Sequence, residues 1–265
     1  MTTFCTFASG SGGTAALLVS GGTRLLLDMG ISCRRVCPAL ASLSLGPEDL
    51  TAVLITHEHS DHIKGLATYV KKYTTPIVCS PGTARELAGR IAGIKPLLRP
   101  VELRGTVSWT GVEAELLPTS HDAGEGTAYH FTTSDGRIAV LTDTGYIPVE
   151  TGQRMLGADL LVLESNHDAD MLWYGRYPYY LKARIGGKLG HLSNADAACF
   201  AVESVRAGTK SILLAHLSQE NNTPRLALDT ARQALAETAW SGPLVVAPRD
   251  EKSRIFCLEH AVCGE

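Results

Sequence analysis

The sequence predicts an α/β protein in which two β-sheets face each other and helices cover their outer sides. Two observations carry this expectation. A β-rich stretch followed by alternating strands and helices occurs twice along the 265 residues. Chemically active side chains also follow short apolar runs repeatedly, and α/β sheets place their sites at the carboxyl ends of strands. With 45% hydrophobic and 19% charged residues, residues 1–265 are expected to form one globular domain.

In the first half of the chain, short apolar runs alternate with glycine-rich turns and with three helical stretches. The expected strands are 3–9, 14–20, 24–28, 51–55 and 76–80. The expected helices are 32–45, 63–73 and one that begins at 81 with Thr83 as a candidate cap. The glycine-rich segment 9–13 is either a hairpin loop or a loop whose backbone amides face a phosphate.

The second half begins with a strand-rich region, 97–141, and then returns to alternating strands and helices. That region includes strand 112–118 and a hairpin of 127–133 with 137–141, turned by Ser134, Asp135 and Gly136. Further strands are expected at 158–164, 211–215, 244–247 and 254–258. Helices are expected at 193–207 and 223–237.

The segment Thr56-His57-Glu58-His59-Ser60-Asp61-His62 holds three imidazoles directly after the apolar run 51–55. His57 and His59 lie two positions apart and can converge on one ion. Asp61 and His62 can reach a second, adjacent ion. A polar loop with helix-capping residues is the alternative, but such a loop has no need of three histidines so close together.

Three more polar residues follow apolar runs in the same way: His121, Asp143 and His216. Together with the histidine segment they supply five imidazoles and two carboxylates. That set is too large for one ion with an open position, whereas two divalent ions about 3.5–4 Å apart fit it. Imidazoles suit Zn²⁺, and carboxylates with water also admit Mn²⁺ or Fe²⁺.

In this order the residues resemble the metallo-β-lactamase superfamily, whose fold is an αββα sandwich of two facing mixed β-sheets with helices outside. The resemblance implies that one metal is held by His57, His59 and His121. It implies that the other metal is held by Asp61, His62 and His216, with Asp143 as the bridge. Asp28 matches an early family motif that supports the histidine segment, and a bridging aspartate resembles the glyoxalase II and phosphodiesterase branches.

A narrower resemblance is carried by Leu163-Glu164-Ser165-Asn166-His167-Asp168 and by Gly190-His191-Leu192-Ser193-Asn194. These segments are similar to the YycJ (WalJ) group, which is related to RNase Z-type phosphodiesterases and described as DNA exonucleases. The resemblance implies that Glu164, His191 and Ser193 lie near the metals and that His191 assists the leaving oxygen. In the alternative, Ser193 caps the following helix and His191 is an ordinary loop residue. The sequence departs from the group at Gly13, where the group tends to carry asparagine.

The segment 173–188 combines aromatic and basic side chains, and half of the eight tyrosines fall within it. Aromatic rings stack on unpaired bases while cations follow the phosphates. Arg176, Tyr177, Lys182 and Arg184 are therefore expected to contact a nucleic acid, with Ser193 nearer the metals. A packed aromatic helix or a homodimer contact is the alternative, and the oligomeric state stays open.

Two cations would polarise a phosphoryl oxygen and lower the pKa of a bridging water, so that hydroxide attacks at neutral pH. The leading expectation is a metal-dependent phosphodiesterase, and most specifically a DNA exonuclease. A 5′-to-3′ direction is one expectation, although the sequence leaves the polarity open. The runner-up is a hydrolase of small esters, thioesters or lactones on the same site. A third class is a metal-binding protein without turnover, but such a protein has no need of an open two-metal site.

Composition excludes a global attraction to nucleic acid, since the formal net charge is −3, and any such partner must be held by a local patch. No apolar run approaches the length of a membrane span, and no targeting segment is evident. The seven cysteines are scattered without a CxxC pair, which suggests reduced thiols and a cytoplasmic protein. No metal role is assigned to His130, His167 or His260.

Overall fold

A computed structural model describes residues 1–258, in which fourteen strands form two mixed sheets. The strands are β1 Thr2–Ala8, β2 Ala15–Ser20, β3 Thr23–Leu27, β4 Ala52–Leu54, β5 Ile77–Cys79, β6 Leu98–Pro100, β7 Thr106–Trp109, β8 Val112–Pro118, β9 Thr127–Thr133, β10 Gly136–Leu141, β11 Leu160–Glu164, β12 Ser211–Ala215, β13 Leu244–Val246 and β14 Phe256–Leu258. The first sheet has the order β14-β1-β2-β3-β4-β5-β6, and the second has the order β13-β12-β11-β10-β9-β8-β7. Each sheet joins an antiparallel part to a parallel part, the latter running β3-β4-β5-β6 in one and β10-β11-β12-β13 in the other.

The helices are α1 Cys33–Ala41, α2 Ser60–Ile63, α3 Leu66–Tyr69, α4 Pro81–Arg90, α5 Val149–Met155, α6 Ala169–Tyr174, α7 Tyr179–Ile185, α8 Asn194–Arg206 and α9 Pro224–Leu235. The outer side of the first sheet is covered by α1, α3 and α4, and that of the second by α5, α8 and α9. No helix within residues 1–258 is long and apolar enough to cross a membrane. His260, to which no metal role was assigned, lies outside the described residues.

Both faces of each sheet carry apolar side chains, and successive side chains along a strand point to opposite faces. On β3, Leu25 and Leu27 pack into the core between the sheets, whereas Leu26 packs against the outer helices. On β11, Leu160 and Val162 face the same central core, and Leu161 faces the outer helices. Because side chains alternate along a strand, both faces are buried only when helices cover the outside. The predicted αββα sandwich is therefore confirmed.

The expected helix 63–73 is wrong, since two short helices, α2 and α3, replace it. The carbonyl of Asp61 accepts from Thr14 N (2.8 Å), and the amide of Gly65 donates to Met29 O (2.8 Å). These tertiary hydrogen bonds take the groups that a continuous helix would pair with each other. The histidine segment is thus tied to the loop that follows β3.

The residue that caps the N-terminus of α4 differs from the expectation. Thr83 is not the cap of α4, because the side chain of Ser80 accepts from the Thr83 amide and Pro81 occupies the first helical position. The helices expected at 193–207 and 223–237 are present as α8 and α9, capped by the side chains of Ser193 and Thr223.

Gly30 permits the closest approach between the loop after β3 and the histidine segment. A Cβ atom at Gly30 would lie 1.6 Å from the Asp61 carbonyl oxygen and 2.6 Å from the Thr14 amide nitrogen. Neither backbone group can move without disturbing the hydrogen bond that joins them. The segment that carries Asp61 and His62 is therefore positioned by a contact that only glycine allows at residue 30.

Replacing Gly30 with alanine is expected to lower the free energy of unfolding by about 1–3 kcal/mol, because the added methyl group forces the two backbones apart. Gly12→Ala is the matched control, since a Cβ at Gly12 would meet no atom within 4 Å. Thermal or denaturant unfolding of both variants measures the difference. Equal stability of the two variants would contradict the close approach.

Candidate metal centre

Asp28, Asp143 and His216 lie at or just beyond the carboxyl ends of β3, β10 and β12, and all three have left-handed backbones. Their φ angles are 58°, 57° and 56°, respectively. This conformation costs an L-residue roughly 1 kcal/mol or more, and such strain concentrates at functional sites. The chain therefore bends sharply at three neighbouring strand ends, which is where the sequence predicts the site.

The structure brings all seven predicted metal ligands together. The ligand atoms of His57, His59 and His121 lie within 4.8 Å of one another, as do those of Asp61, His62 and His216. Asp143 connects the two groups, because Oδ2 lies 3.4 Å from His62 Nε2 and Oδ1 lies 4.0 Å from His121 Nε2. The arrangement agrees with two neighbouring ligand sets that share one carboxylate.

Several atoms of this cluster are buried without a hydrogen-bond partner. Among the described residues these include the Nε2 atoms of His57, His62 and His216 and the Oδ2 atom of Asp143. Unpaired buried polar atoms are costly and rare in native proteins. Since imidazole nitrogens and carboxylate oxygens are the donors that divalent transition metals take, these residues fit such ions.

Asp28 orients His62 from behind. The Nδ1 atom of His62 donates to Asp28 Oδ2 (2.8 Å), and the amide of Thr56 donates to Asp28 Oδ1 (2.8 Å). Burial lowers the pKa of His62, but the Asp143 and Asp28 carboxylates outweigh it and raise the pKa well above its ordinary value. Asp28 takes the Nδ1 proton of His62, which leaves Nε2 as the ring atom that faces the cluster.

The other ligand histidines are fixed by partners that the sequence did not reveal. His121 Nδ1 donates to the Gly190 carbonyl (3.0 Å), and His216 is held through its backbone by Ser9 Oγ (2.9 Å) and Asn166 Nδ2 (2.9 Å). Ser9 belongs to the glycine-rich loop, so that loop supports a ligand residue. Glycine spacing gave a signal for the loop but none for this contact.

Glu164 is fully buried and accepts four hydrogen bonds. Its Oε1 atom accepts from His191 Nδ1 (2.7 Å) and His216 Nδ1 (3.2 Å). Its Oε2 atom accepts from the amides of Thr144 (3.0 Å) and Leu192 (3.2 Å). Burial raises the pKa of Glu164, but the neighbouring histidines outweigh this effect and lower it to about 2. Glu164 therefore remains a carboxylate and fixes two imidazole rings at once.

A cavity of about 320 Å³ opens beside the cluster. One wall holds the predicted ligands His59, Asp61, His121 and Asp143 together with His191, whose side chain is 20% exposed. The opposite wall comes from α7 and the loop after it, through Leu181, Arg184, Ile185 and Leu189. A substrate in this cavity would contact the predicted metal ligands, His191 and Arg184 together.

Asp122 is a further cavity residue that the sequence analysis missed. Its Oδ2 atom accepts from Arg184 Nε (2.6 Å), and its Oδ1 atom lies 3.6 Å from His121 Nε2. Burial raises the pKa of Asp122, but Arg184 and the nearby histidines lower it more. Its position directly after His121 was the only signal available in the sequence.

The remaining predicted substrate contacts lie outside the cavity lining. Arg176 is exposed and Tyr177 is half-buried between α6 and α7, and Lys182 Nζ donates to the Trp173 carbonyl (2.8 Å). Ser193 caps α8, and its hydroxyl donates to Asp196 Oδ2 (2.6 Å). Lys182 and Ser193 thus have structural partners, and their contact with substrate stays a prediction.

His130 and His167 are buried, His130 on β9 and His167 just after β11. Within the described residues neither belongs to a group that can hold a metal ion.

Replacing Asp28 with asparagine is expected to lower metal affinity by about 10–100-fold, because the amide keeps one acceptor oxygen for three donor contacts. Competition with a chelating dye measures the affinity. Asp250→Asn is the matched control, since Asp250 is exposed and pairs with Arg35 at the surface. Equal affinity in the two variants would show that Asp28 does not support the metal centre.

Comparisons with known proteins agree with this geometry. Residues 23–217 match the family described as beta-lactamase superfamily domain, a stretch that includes every predicted metal ligand. The chain is 37% identical over 238 residues to exodeoxyribonuclease YycJ of Bacillus anthracis, covering 89% of this chain and 90% of that protein. It is 37% identical over 233 residues to exodeoxyribonuclease WalJ of Streptococcus pneumoniae, covering 87% of each.

Solved structures show the same fold. The metallo-β-lactamase fold protein YhfI from Bacillus subtilis superposes with a TM-score of 0.73 at 19% identity, covering 97% of this chain and 100% of that one. The short form of human tRNase Z superposes with a TM-score of 0.64 at 17% identity, covering 97% and 99%. The family match and the two bacterial relatives show that the chain belongs to the metallo-β-lactamase superfamily, as a YycJ/WalJ-like member.

Proposed function

We propose that this protein is a DNA exonuclease of 5′-to-3′ polarity that uses two divalent metal ions. Its family and ligand cluster make it a metal-dependent hydrolase of the nuclease or phosphodiesterase type. The observation that carries the finer proposal is the pair of His191 and Glu164 at the edge of the metal cluster. A proton donor held beside a Lewis-acid centre suits cleavage of a phosphodiester, whose leaving alkoxide needs a proton.

One metal would be held by His57, His59 and His121, and the other by Asp61, His62 and His216, with Asp143 shared. When bound, two such ions, Zn²⁺ or Mn²⁺, supply charge to a phosphoryl oxygen and lower the pKa of a bridging water. Asp61 is more open than the other carboxylate, since its side chain is 23% exposed and that of Asp143 is 3% exposed. Asp61 therefore lies on the cavity side of the cluster, where the scissile phosphate would sit.

His191 donates its Nδ1 proton to Glu164, which leaves Nε2 as the atom that exchanges a proton with substrate. Glu164 has no exposed surface, so it positions His191 rather than contacting substrate. A carboxylate behind the ring also stabilises the positive charge that His191 carries before proton transfer. Their roles are therefore different: His191 is the proton donor and Glu164 fixes its tautomer and orientation.

Arg184 supplies the cation nearest to the cavity. Its guanidinium already pairs with Asp122 through Nε, and guanidinium donors bind phosphate oxygens as well as carboxylates. In this proposal Arg184 contacts a phosphate next to the scissile one. Asp122 holds the arginine side chain against the cavity wall while the strand enters.

The proposed function is tested with metal-free protein and DNA labelled at one 5′ or one 3′ end. Addition of Zn²⁺ or Mn²⁺ should restore release of mononucleotides, with the 5′ label leaving first. Asp61→Ala should lack this activity because one metal loses a ligand. Failure of every metal to restore cleavage, together with rapid hydrolysis of thioesters, would overturn the nuclease proposal. Earlier loss of the 3′ label would overturn the polarity alone.

Replacing His191 with alanine is expected to lower turnover on DNA by about 100-fold, because the leaving alkoxide loses its proton donor. The metal content should stay that of the wild type. Turnover on a p-nitrophenyl phosphodiester should fall much less, since p-nitrophenolate leaves without protonation. Steady-state rates on both substrates and metal analysis measure these effects. An equal loss on the two substrates would contradict the proton-donor role.

A further inference from the structure

Exposed aromatic rings are concentrated beside the cavity. We name residues 169–190, which comprise α6, α7 and the loop to Gly190, the aromatic hairpin. Tyr174, Tyr179 and Tyr180 are 86%, 77% and 74% exposed, and Trp173 is 45% exposed. Within residues 1–258 the remaining exposed aromatic side chain is Tyr146, at 50%. Since a folded chain buries most of its aromatic surface, this concentration marks a binding surface.

The backbone next to Tyr146 contacts the end of the aromatic hairpin. A Cβ atom at Gly145 would lie 2.4 Å from the carbonyl oxygens of Gly187 and Lys188. Tyr146 itself lines a separate pocket with Ile147 and Leu192.

The charge of the aromatic hairpin is complementary to a polyanion. The aromatic hairpin contains Arg176, Lys182, Arg184 and Lys188 and one carboxylate, that of Asp170, in a chain whose net charge is −3. Arg184 is the basic residue that reaches the cavity wall. A basic stretch that leads to the active site is the arrangement expected for guiding a phosphate backbone.

Hydrogen bonds fix the aromatic hairpin relative to the metal centre. Its final loop accepts three of them through backbone carbonyls: Lys188 from Ser120 Oγ (2.6 Å), Leu189 from the Asp122 amide (3.1 Å) and Gly190 from His121 Nδ1 (3.0 Å). These donors are the metal ligand His121 and its two chain neighbours. A strand bound on the aromatic hairpin would therefore be held at a fixed distance from the metals.

The two helices of the aromatic hairpin are also joined to each other. Lys182 Nζ donates to the Trp173 carbonyl, and the ring centres of Trp173 and Tyr179 lie 6.4 Å apart. A pre-arranged set of rings loses little conformational entropy when it binds. The surface is thus suited to stacking rather than to folding around a partner.

We propose that the aromatic hairpin binds the single-stranded end of the DNA substrate, with unpaired bases stacked on Tyr179 and Tyr180. This rests on the proposed function, which identifies the strand as DNA. Only unpaired bases expose faces on which rings can stack, because a duplex stacks its own bases internally.

A second copy of this chain is less suited than DNA to bind the aromatic hairpin. In a two-fold symmetric dimer the same patch lies on both sides of the contact. The basic residues Arg176, Lys182 and Lys188 would then approach their own copies, and the aromatic hairpin offers only the carboxylate of Asp170 to neutralise them. Charge repulsion disfavours that contact, whereas a phosphate backbone is attracted.

The test compares Tyr179→Ala/Tyr180→Ala with the ring-preserving control Tyr179→Phe/Tyr180→Phe. The probe is a fluorescent oligothymidylate with phosphorothioate linkages, which resists cleavage by the metal-loaded protein, and a blunt duplex of equal length is the competitor. Fluorescence anisotropy should show that the alanine variant binds the single strand about 10-fold or more weakly, while the phenylalanine variant stays near the wild type. Binding of the duplex should change little in either variant.

Equal binding of the single strand by the alanine and phenylalanine variants would overturn the inference. It would also fall if sedimentation shows a wild-type dimer that the alanine variant converts to monomer while strand binding is unchanged. The proposed function fails separately: if the wild type cleaves no DNA with any metal but binds the single strand through its rings, the nuclease proposal falls and the binding surface stands. If the wild type cleaves DNA but the alanine variant binds the single strand as tightly as the wild type does, the nuclease proposal stands and the binding surface falls.

Discussion

The convergence of five imidazoles and two carboxylates on one point is the constraint on which the rest of the structure depends. Several of their polar atoms are buried without a hydrogen-bond partner, which is costly unless a cation binds there. The fold holds them there by binding the far side of the rings: Asp28 holds His62, the Gly190 carbonyl holds His121, and Glu164 holds His216. Each of these contacts fixes which nitrogen of the ring faces the cluster.

Glu164 connects this constraint to catalysis. One fully buried carboxylate accepts from His216, a predicted metal ligand, and from His191, the proposed proton donor. The geometry of proton transfer is therefore tied to the geometry of metal binding. Because Oε2 of Glu164 also accepts from the backbone amides of Thr144 and Leu192, its position is set by the ends of β10 and β11 and by the loop before α8.

The sheets explain why residues far apart in sequence meet. Asp28, Asp143 and His216 follow different strands, and parallel pairing within each sheet brings the carboxyl ends of neighbouring strands to one edge. The left-handed backbone at each position then turns the chain within one residue. Such a strained turn is stable because the surrounding strands determine where the chain must go.

The sequence by itself predicted most of the strands, the longer helices α1, α4, α8 and α9, and seven candidate ligands that follow apolar runs, because apolar periodicity and metal-ligand chemistry are local properties of the chain. It did not determine that residues 63–73 would form two short helices, because hydrogen bonds from Thr14 and to Met29 replace those of a longer one. Nor did it identify Asp122, Ser9 or Asn166 as partners of the site. Those contacts were decided by the tertiary structure, since hydrogen bonds between residues 50 or more positions apart exist only after strand pairing has fixed both groups.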